Sequence, residues 1–215
     1  MQVVSLFGPP LAGKGTQENN FINAGFAPIS PGAVLREKIA QGDPKYLAAA
    51  EAINSGGLAP DELVAEIIND FIEEKMRQGF KGVLLDGSPR TLNQALVLDE
   101  FLAAKGLKLK MIELVIDDPE AVRSKYHTGI LNDRRLKRIK ERQDQGLPPR
   151  PDDVAEVFRK RMDNYDKFTV PVADYYSAQG CLHRIDGMQS PGAVWNDIDR
   201  IINPMPAVPP PRFGL

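Results

Sequence analysis

The chain has 215 residues, an apolar fraction of 42%, a charged fraction of 26% and a formal net charge of -2. That is the make-up of an ordinary globular domain rather than of a disordered chain or a membrane protein, and no apolar run approaches the ~20 residues that span a bilayer. The slightly acidic balance supplies no global attraction for DNA or an anionic membrane, although a local cluster can still bind phosphate.

The chain opens into the strand pattern Val3-Val4-Ser5-Leu6-Phe7. It lacks the basic segment, apolar core and small-residue cleavage site of a secretory signal, so a cytoplasmic location is expected. Cys181 is the single cysteine, which excludes an internal disulfide and a cysteine-built zinc cluster and points to a core-filling role.

Directly after that strand stands Gly8-Pro9-Pro10-Leu11-Ala12-Gly13-Lys14-Gly15-Thr16-Gln17, with a helix expected to begin near Lys14. The G-x-x-x-x-G-K pattern in a strand-to-helix turn is a phosphate-binding arrangement. Amides of Gly13, Lys14, Gly15 and Thr16 can converge on phosphate oxygens at the positive end of the helix, with Lys14 reaching the β/γ-phosphates. A glycine-rich turn that merely joins strand to helix is the plainer alternative, and it leaves the placement of the lysine unexplained. The hydroxyl comes at Thr16, one residue later than in the general motif.

Four further strand-like stretches, at 25–29, 82–85, 111–116 and 182–185, alternate with helical patterns and imply a parallel sheet. Between them, Leu63, Val64, Ile67, Ile68, Phe71 and Ile72 recur at helical spacing behind the start signals Pro60, Asp61 and Glu62. A second amphipathic run, 94–101, has Gly106 as its stop. The stretch 132–142 carries Arg134, Arg135, Lys137, Arg138, Lys140 and Arg142, and is followed by turn-rich residues 145–151. By itself this basic run also reads as a solvated helix face or a nucleic-acid patch. From Asn203 onward, Pro204, Pro206, Pro209, Pro210 and Pro211 make a tail that cannot continue a helix or a central strand.

Four motifs in order resemble the adenylate kinase and nucleoside monophosphate kinase family over roughly residues 1–202. The first is the glycine loop, with Leu11 where the family has glycine. The second is Ile29-Ser30-Pro31-Gly32-Ala33-Val34-Leu35-Arg36, in which Arg36 matches the arginine that grips the acceptor monophosphate; a solvated helix arginine is its alternative. The third and most specific is Leu84-Leu85-Asp86-Gly87-Ser88-Pro89-Arg90-Thr91-Leu92-Asn93-Gln94. The fourth is Arg134-Arg135-Leu136-Lys137-Arg138, leading to Arg150-Pro151-Asp152-Asp153 and to Arg161.

The resemblance implies an α/β fold of the P-loop three-layer type. It would have a five-stranded parallel sheet, a helical lobe at 30–60 for the nucleoside monophosphate (NMP), a short lid at 138–150 and a Pro-rich tail at 203–215. It implies transfer of the γ-phosphoryl of ATP to AMP, with uridylate or cytidylate as the alternative acceptor, or a silent nucleotide-binding protein that keeps the loop. Leu11, Ala12, Gly13, Lys14, Gly15, Thr16, Arg134 and Arg138 would contact ATP. Pro31, Arg36, Gly57, Leu58, Ala59, Gly87, Ser88, Pro89, Arg90, Gln94, Arg150 and Arg161 would contact the acceptor. Lys14, Arg90, Arg134, Arg138, Arg150 and Arg161 would act on the transferred group.

Physical reasons accompany the third motif. Asp86, at a parallel strand's carboxyl end, lies where such sheets bind ligands and is placed to hold Mg²⁺ through water. The fork of Arg90 suits a phosphate, and the Gln94 amide suits a purine edge. Pro31, Ala33 and Ser88 depart from the family pattern around the acceptor base. A monomer binding nucleotides, with neither nucleic acid nor membrane as partner, is the accompanying expectation.

Overall fold

The computed structural model describes residues 1–116 and 129–204. Between Pro119 and Arg134 the chain carries several residues more than the family pattern leads one to expect; the part of that stretch up to Thr128 and most of the Pro-rich tail lie outside the described range.

Strand β1 (Gln2–Phe7) leads through the glycine loop to a 3-10 turn (Lys14–Gln17) and the short helix α1 (Glu18–Asn23). The α-helix thus starts four residues later than the sequence pattern predicts. Gly13 sits at φ 102°, and Thr16 N donates to Gly13 O at 3.1 Å, so the chain first winds in the tighter i→i+3 manner. Then come β2 (Phe26–Ile29), α2 (Pro31–Ala40), α3 (Pro44–Leu47), α4 (Ala50–Asn54) and the long α5 (Asp61–Arg77). Beyond these lie β3 (Gly82–Asp86), α6 (Leu92–Ala104) and β4 (Leu109–Val115). After residue 128 the chain forms α7 (Ile130–Asp144), α8 (Ala155–Asn164), a π turn (Tyr165–Thr169), α9 (Val170–Ala178), β5 (Leu182–Asp186) and α10 (Pro191–Ile202).

Helix ends follow local chemistry. α6 begins with Thr91, whose hydroxyl accepts from Gln94 N, and ends as expected at Gly106, where Leu107 N reaches back to Leu102 O at 2.9 Å.

The five strands are all parallel in the order β2-β3-β1-β4-β5. Side chains alternate across β1, so Val3 and Phe7 join one core and Val4 and Leu6 the other. The first core packs α5, α6 and α9 through residues such as Ile68, Ile72, Leu98, Leu102 and Val172. The second packs α1 and α10 through Phe21, Val194, Ile198 and Ile202. Each fully buried side chain of this kind stabilises the sandwich by about 2 kcal/mol, which fixes β1 as the central strand and sends every strand's carboxyl end to one edge. Cys181 is half-buried against the first core, and Trp195 packs edge-on to Phe21 with ring centroids 5.3 Å apart. A third, smaller cluster of Leu131, Phe158 and Met162 joins α7 to α8, with Leu11 of the glycine loop packed on it.

Candidate functional site

Because β1 lies between β3 and β4, their carboxyl ends open a crevice. A cleft of about 1180 Å³ occupies it, lined by the glycine loop, the start of α2, the segment 56–59, the β3–α6 loop, α7 and α8. Pockets for a single small molecule span ~300–1,000 Å³, so this cleft lies above the range that one such ligand fills. Its wall carries Lys14, Arg36, Arg90, Arg134, Lys137, Arg138, Arg150 and Arg161 against the carboxylates Glu18, Asp86, Glu141 and Asp152. A chain of net charge -2 therefore concentrates positive charge in one place.

The loop is shaped by close approach. Gly8 has φ 139°, and a Cβ there would lie 2.8 Å from Leu114 O of the neighbouring strand. Gly13 and Gly15 have nothing within 4 Å of such a Cβ; packing does not require them, and their bare backbone faces the cleft. Leu11 has φ 68°, the single non-glycine residue in the left-handed region among those described. Its carbonyl accepts from Arg134 Nη1 at 3.1 Å, while Arg134 Nη2 donates to Gly187 O at 3.2 Å.

Lys14 Nζ turns back on its own loop, donating to Gly8 O at 2.8 Å and Pro9 O at 2.9 Å. Burial of the ammonium holds its pKa down at about 8; Asp86 opposes this, and Arg90 and Arg161 add to it. Arg90 is lowered to about 10, first by burial and then by Arg161, and stays protonated at neutral pH. Arg36 is exposed on α2, yet its pKa is lowered by partial burial, with Asp152 opposing and Arg161 and Arg150 reinforcing. These cations share one electrostatic neighbourhood.

Arg90 Nε donates to Gly87 O at 2.7 Å, and Arg90 N donates to Gln94 Oε1 at 2.7 Å. Gln94 Nε2 in turn donates to Asp61 Oδ1 at 2.8 Å, and Thr91 and Asn93 donate to the same carboxylate. Gln94 therefore anchors the Arg90 loop while one of its N–H groups and one lone pair remain for a ligand. Asp86 Oδ1 and Ser88 Oγ are buried with no hydrogen-bond partner among the described residues. An orphaned carboxylate oxygen at a strand end fits a hydrated Mg²⁺, a hard cation that keeps several waters. No group of three or more metal-ligating side chains occurs among the described residues, so such an ion would rely on Asp86, water and phosphate oxygens.

Two acids organise the remaining arginines. Asp152 pairs with Arg161, and its Oδ2 is 3.8 Å from Arg138 Nη2. The buried Asp153 pairs with Arg138, accepting from its Nε at 2.9 Å, and also accepts from Arg150 N at 3.0 Å. Arg134 and Arg138, four residues apart on α7, engage different partners, the first the glycine loop and the second these acids.

Every residue the sequence singles out for the site lines the cleft except Pro89, which is buried beside it in a cis peptide with Ser88. The segment 138–150 comprises the end of α7 and the connection after it. Sequence reasoning gave no part in the site to Asp61, read only as a helix-start signal, to Asp152 and Asp153, quoted only within the fourth motif, or to Asn164, Tyr165, Thr169 and the Gly187-to-Pro191 edge. The last of these was legible, since it follows the carboxyl end of a parallel strand. His183 is exposed on β5, away from the cleft lining. No helix among the described residues is long and apolar enough to cross a membrane.

The adenylate kinase family profile matches residues 6–181. The chain is 40% identical over 203 residues to an adenylate kinase of Methylorubrum populi, covering 93% of this chain and 95% of the relative. It is 43% identical over 199 residues to an adenylate kinase of Azorhizobium caulinodans, covering 92% and 96%. A third relative, an adenylate kinase of Methylobacterium nodulans, is 42% identical over 201 residues, covering 93% of each chain. With its parallel sheet, glycine loop and arginine-lined crevice matched over almost its whole length, the chain belongs to the adenylate kinase family of nucleoside monophosphate kinases.

Proposed function

We propose that the protein transfers the γ-phosphoryl group of ATP to AMP, giving two ADP. The observation that carries this reading is the convergence of Lys14, Arg36, Arg90, Arg134, Arg138, Arg150 and Arg161 on one cleft of about 1180 Å³. Phosphoryl transfer needs two anionic substrates aligned and neutralised, with water excluded, and no covalent protein intermediate.

In this reading the amides of residues 13–16 cradle the donor phosphates, with Leu11 and Ala12 beside them. Lys14 leaves the Gly8 and Pro9 carbonyls to meet the polyphosphate. Incoming negative charge raises its depressed pKa, so the ammonium is cationic when ligand is present. Arg134, already on the Leu11 carbonyl, and Arg138 hold the donor side. Arg36 and Arg90 grip the acceptor phosphate, and Gln94, Gly57, Leu58, Ala59, Pro31, Gly87 and Ser88 surround its nucleoside. Arg150 and Arg161 face the group in transit, with Asp152 and Asp153 keeping mutually repelling guanidinium groups in place. Asp86 would hold Mg²⁺ through water, and that ion supplies charge neutralisation between the phosphates. The lobe at 30–60 and the segment 138–150 are the parts proposed to close and exclude water.

Incubation of the purified protein with ATP, Mg²⁺ and a panel of nucleoside monophosphates, with separation of products, tests this. ADP formed from AMP in preference to other acceptors is expected. Preference for UMP or CMP would reassign the acceptor site around Pro31, Ala33 and Ser88, and nucleotide binding without turnover would make the protein a silent binder.

A further inference from the structure

Arg90 is held through its main chain as well as its side chain. Two of its partners are local, Gly87 O in its own loop and Gln94 Oε1 in the first turn of α6. The third is remote: Thr169 Oγ1 donates to Arg90 O at 3.0 Å across 79 residues of sequence. Thr169 is 6% exposed and is the last residue of the π turn that joins α8 to α9.

The π turn explains how that hydroxyl reaches the cleft. Val157, Arg161, Tyr165 and Thr169 follow one another at intervals of four, and all four line the cleft. In an unbroken α-helix at about 100° per residue such spacing drifts by about 40° a step, which would carry Thr169 about 120° round from Val157. A π turn takes up roughly one extra residue and returns that drift to about 20°. Its sequence cause is Pro171, which opens α9. It has no N–H for the Lys167 carbonyl, and its ring crowds that carbonyl. One helical rod therefore carries Arg161 and, two turns on, the hydroxyl that fixes the Arg90 loop.

We propose that Thr169 is a positioning residue for phosphoryl transfer: by binding the Arg90 carbonyl it sets the Arg90 guanidinium in register with Arg161. This inference rests on the role given to Arg90 above. The hydroxyl's single proton is committed to Arg90, so valine, of the same shape, removes that bond and little else.

Thr169→Val and Thr169→Ser are compared with the parent chain by steady-state kinetics and thermal unfolding. A misplaced guanidinium predicts, for the valine variant, a KM for AMP raised about tenfold and a kcat lowered about tenfold, with the KM for ATP unchanged within about twofold. The serine variant is expected within about threefold of the parent in every constant, because it keeps the hydroxyl. Valine behaving as the parent, valine and serine failing alike, or the KM for ATP rising in step with that for AMP would each overturn the proposal.

A second readout does not depend on turnover. In the ligand-free protein the Arg90 Nε–H is bonded to Gly87 O, and its hydrogen exchange, followed by NMR, is expected to speed up about tenfold in the valine variant alone. Unchanged exchange refutes the positioning role. A parent chain inactive on every monophosphate refutes the reading of the site, while the exchange measurement still decides whether Thr169 holds Arg90.

Discussion

Replacing Lys14 by methionine should make the ligand-free protein more stable while destroying its activity. Folding drags the Lys14 ammonium from an ordinary pKa of 10.5 to about 8, chiefly by burial. At about 1.4 kcal/mol per pH unit this is a destabilisation of roughly 3 kcal/mol, fully present below pH 8. The residue keeps some contact with solvent, so that figure is an upper bound. The bonds to Gly8 O and Pro9 O oppose the gain, at about 1 kcal/mol each less what water in the open cleft returns to the freed carbonyls. A net stabilisation of about 1–2 kcal/mol at pH 7 is expected.

The sign of the pH dependence is fixed. Between pH 8 and 10.5 the folded chain binds fewer protons at Lys14 than the unfolded chain, so the parent gains stability as pH rises through that window. Methionine does not titrate, and the two proteins share every other group. The advantage of the variant should therefore shrink by up to about 2 kcal/mol between pH 7 and pH 9.5. Urea unfolding of both proteins at the two pH values, without nucleotide, measures it. A stability difference that stays flat between them would refute the claim that the ammonium is desolvated in the free cleft.

Two further substitutions separate chemistry from architecture. Arg90→Ala should lower turnover at least ~100-fold, equivalent to about 3 kcal/mol of transition-state stabilisation, with the thermal transition preserved; near-normal turnover of AMP would remove Arg90 from the mechanism. Asp153→Ala strips a buried acceptor from Arg138 and from Arg150 N. It should destabilise the fold by about 2–3 kcal/mol, the low side for a broken buried pair because Arg138 retains some access to water. Equilibrium urea unfolding checks it, and a loss under 0.5 kcal/mol, roughly that of an ordinary surface substitution, would mean that Asp153 does not hold the arginine cluster.

The elements of this protein were legible in the chain because their causes are local. The apolar run Val3-Val4-Ser5-Leu6-Phe7, the helical spacing from Leu63 to Ile72 and the stop at Gly106 are each decided within a few residues. The glycine loop and the Asp86–Gln94 motif were legible for the same reason, being short contiguous segments whose residues line the cleft together. Only the tertiary structure decided what aims those groups. Asp61 lies 33 residues from Gln94, and Thr169 lies 79 from Arg90. Local periodicity carries no information about which distant donor meets which acceptor. That is settled when the parallel sheet brings its carboxyl ends to one edge, and when a proline-opened turn rotates one helix so that its polar face points into the crevice.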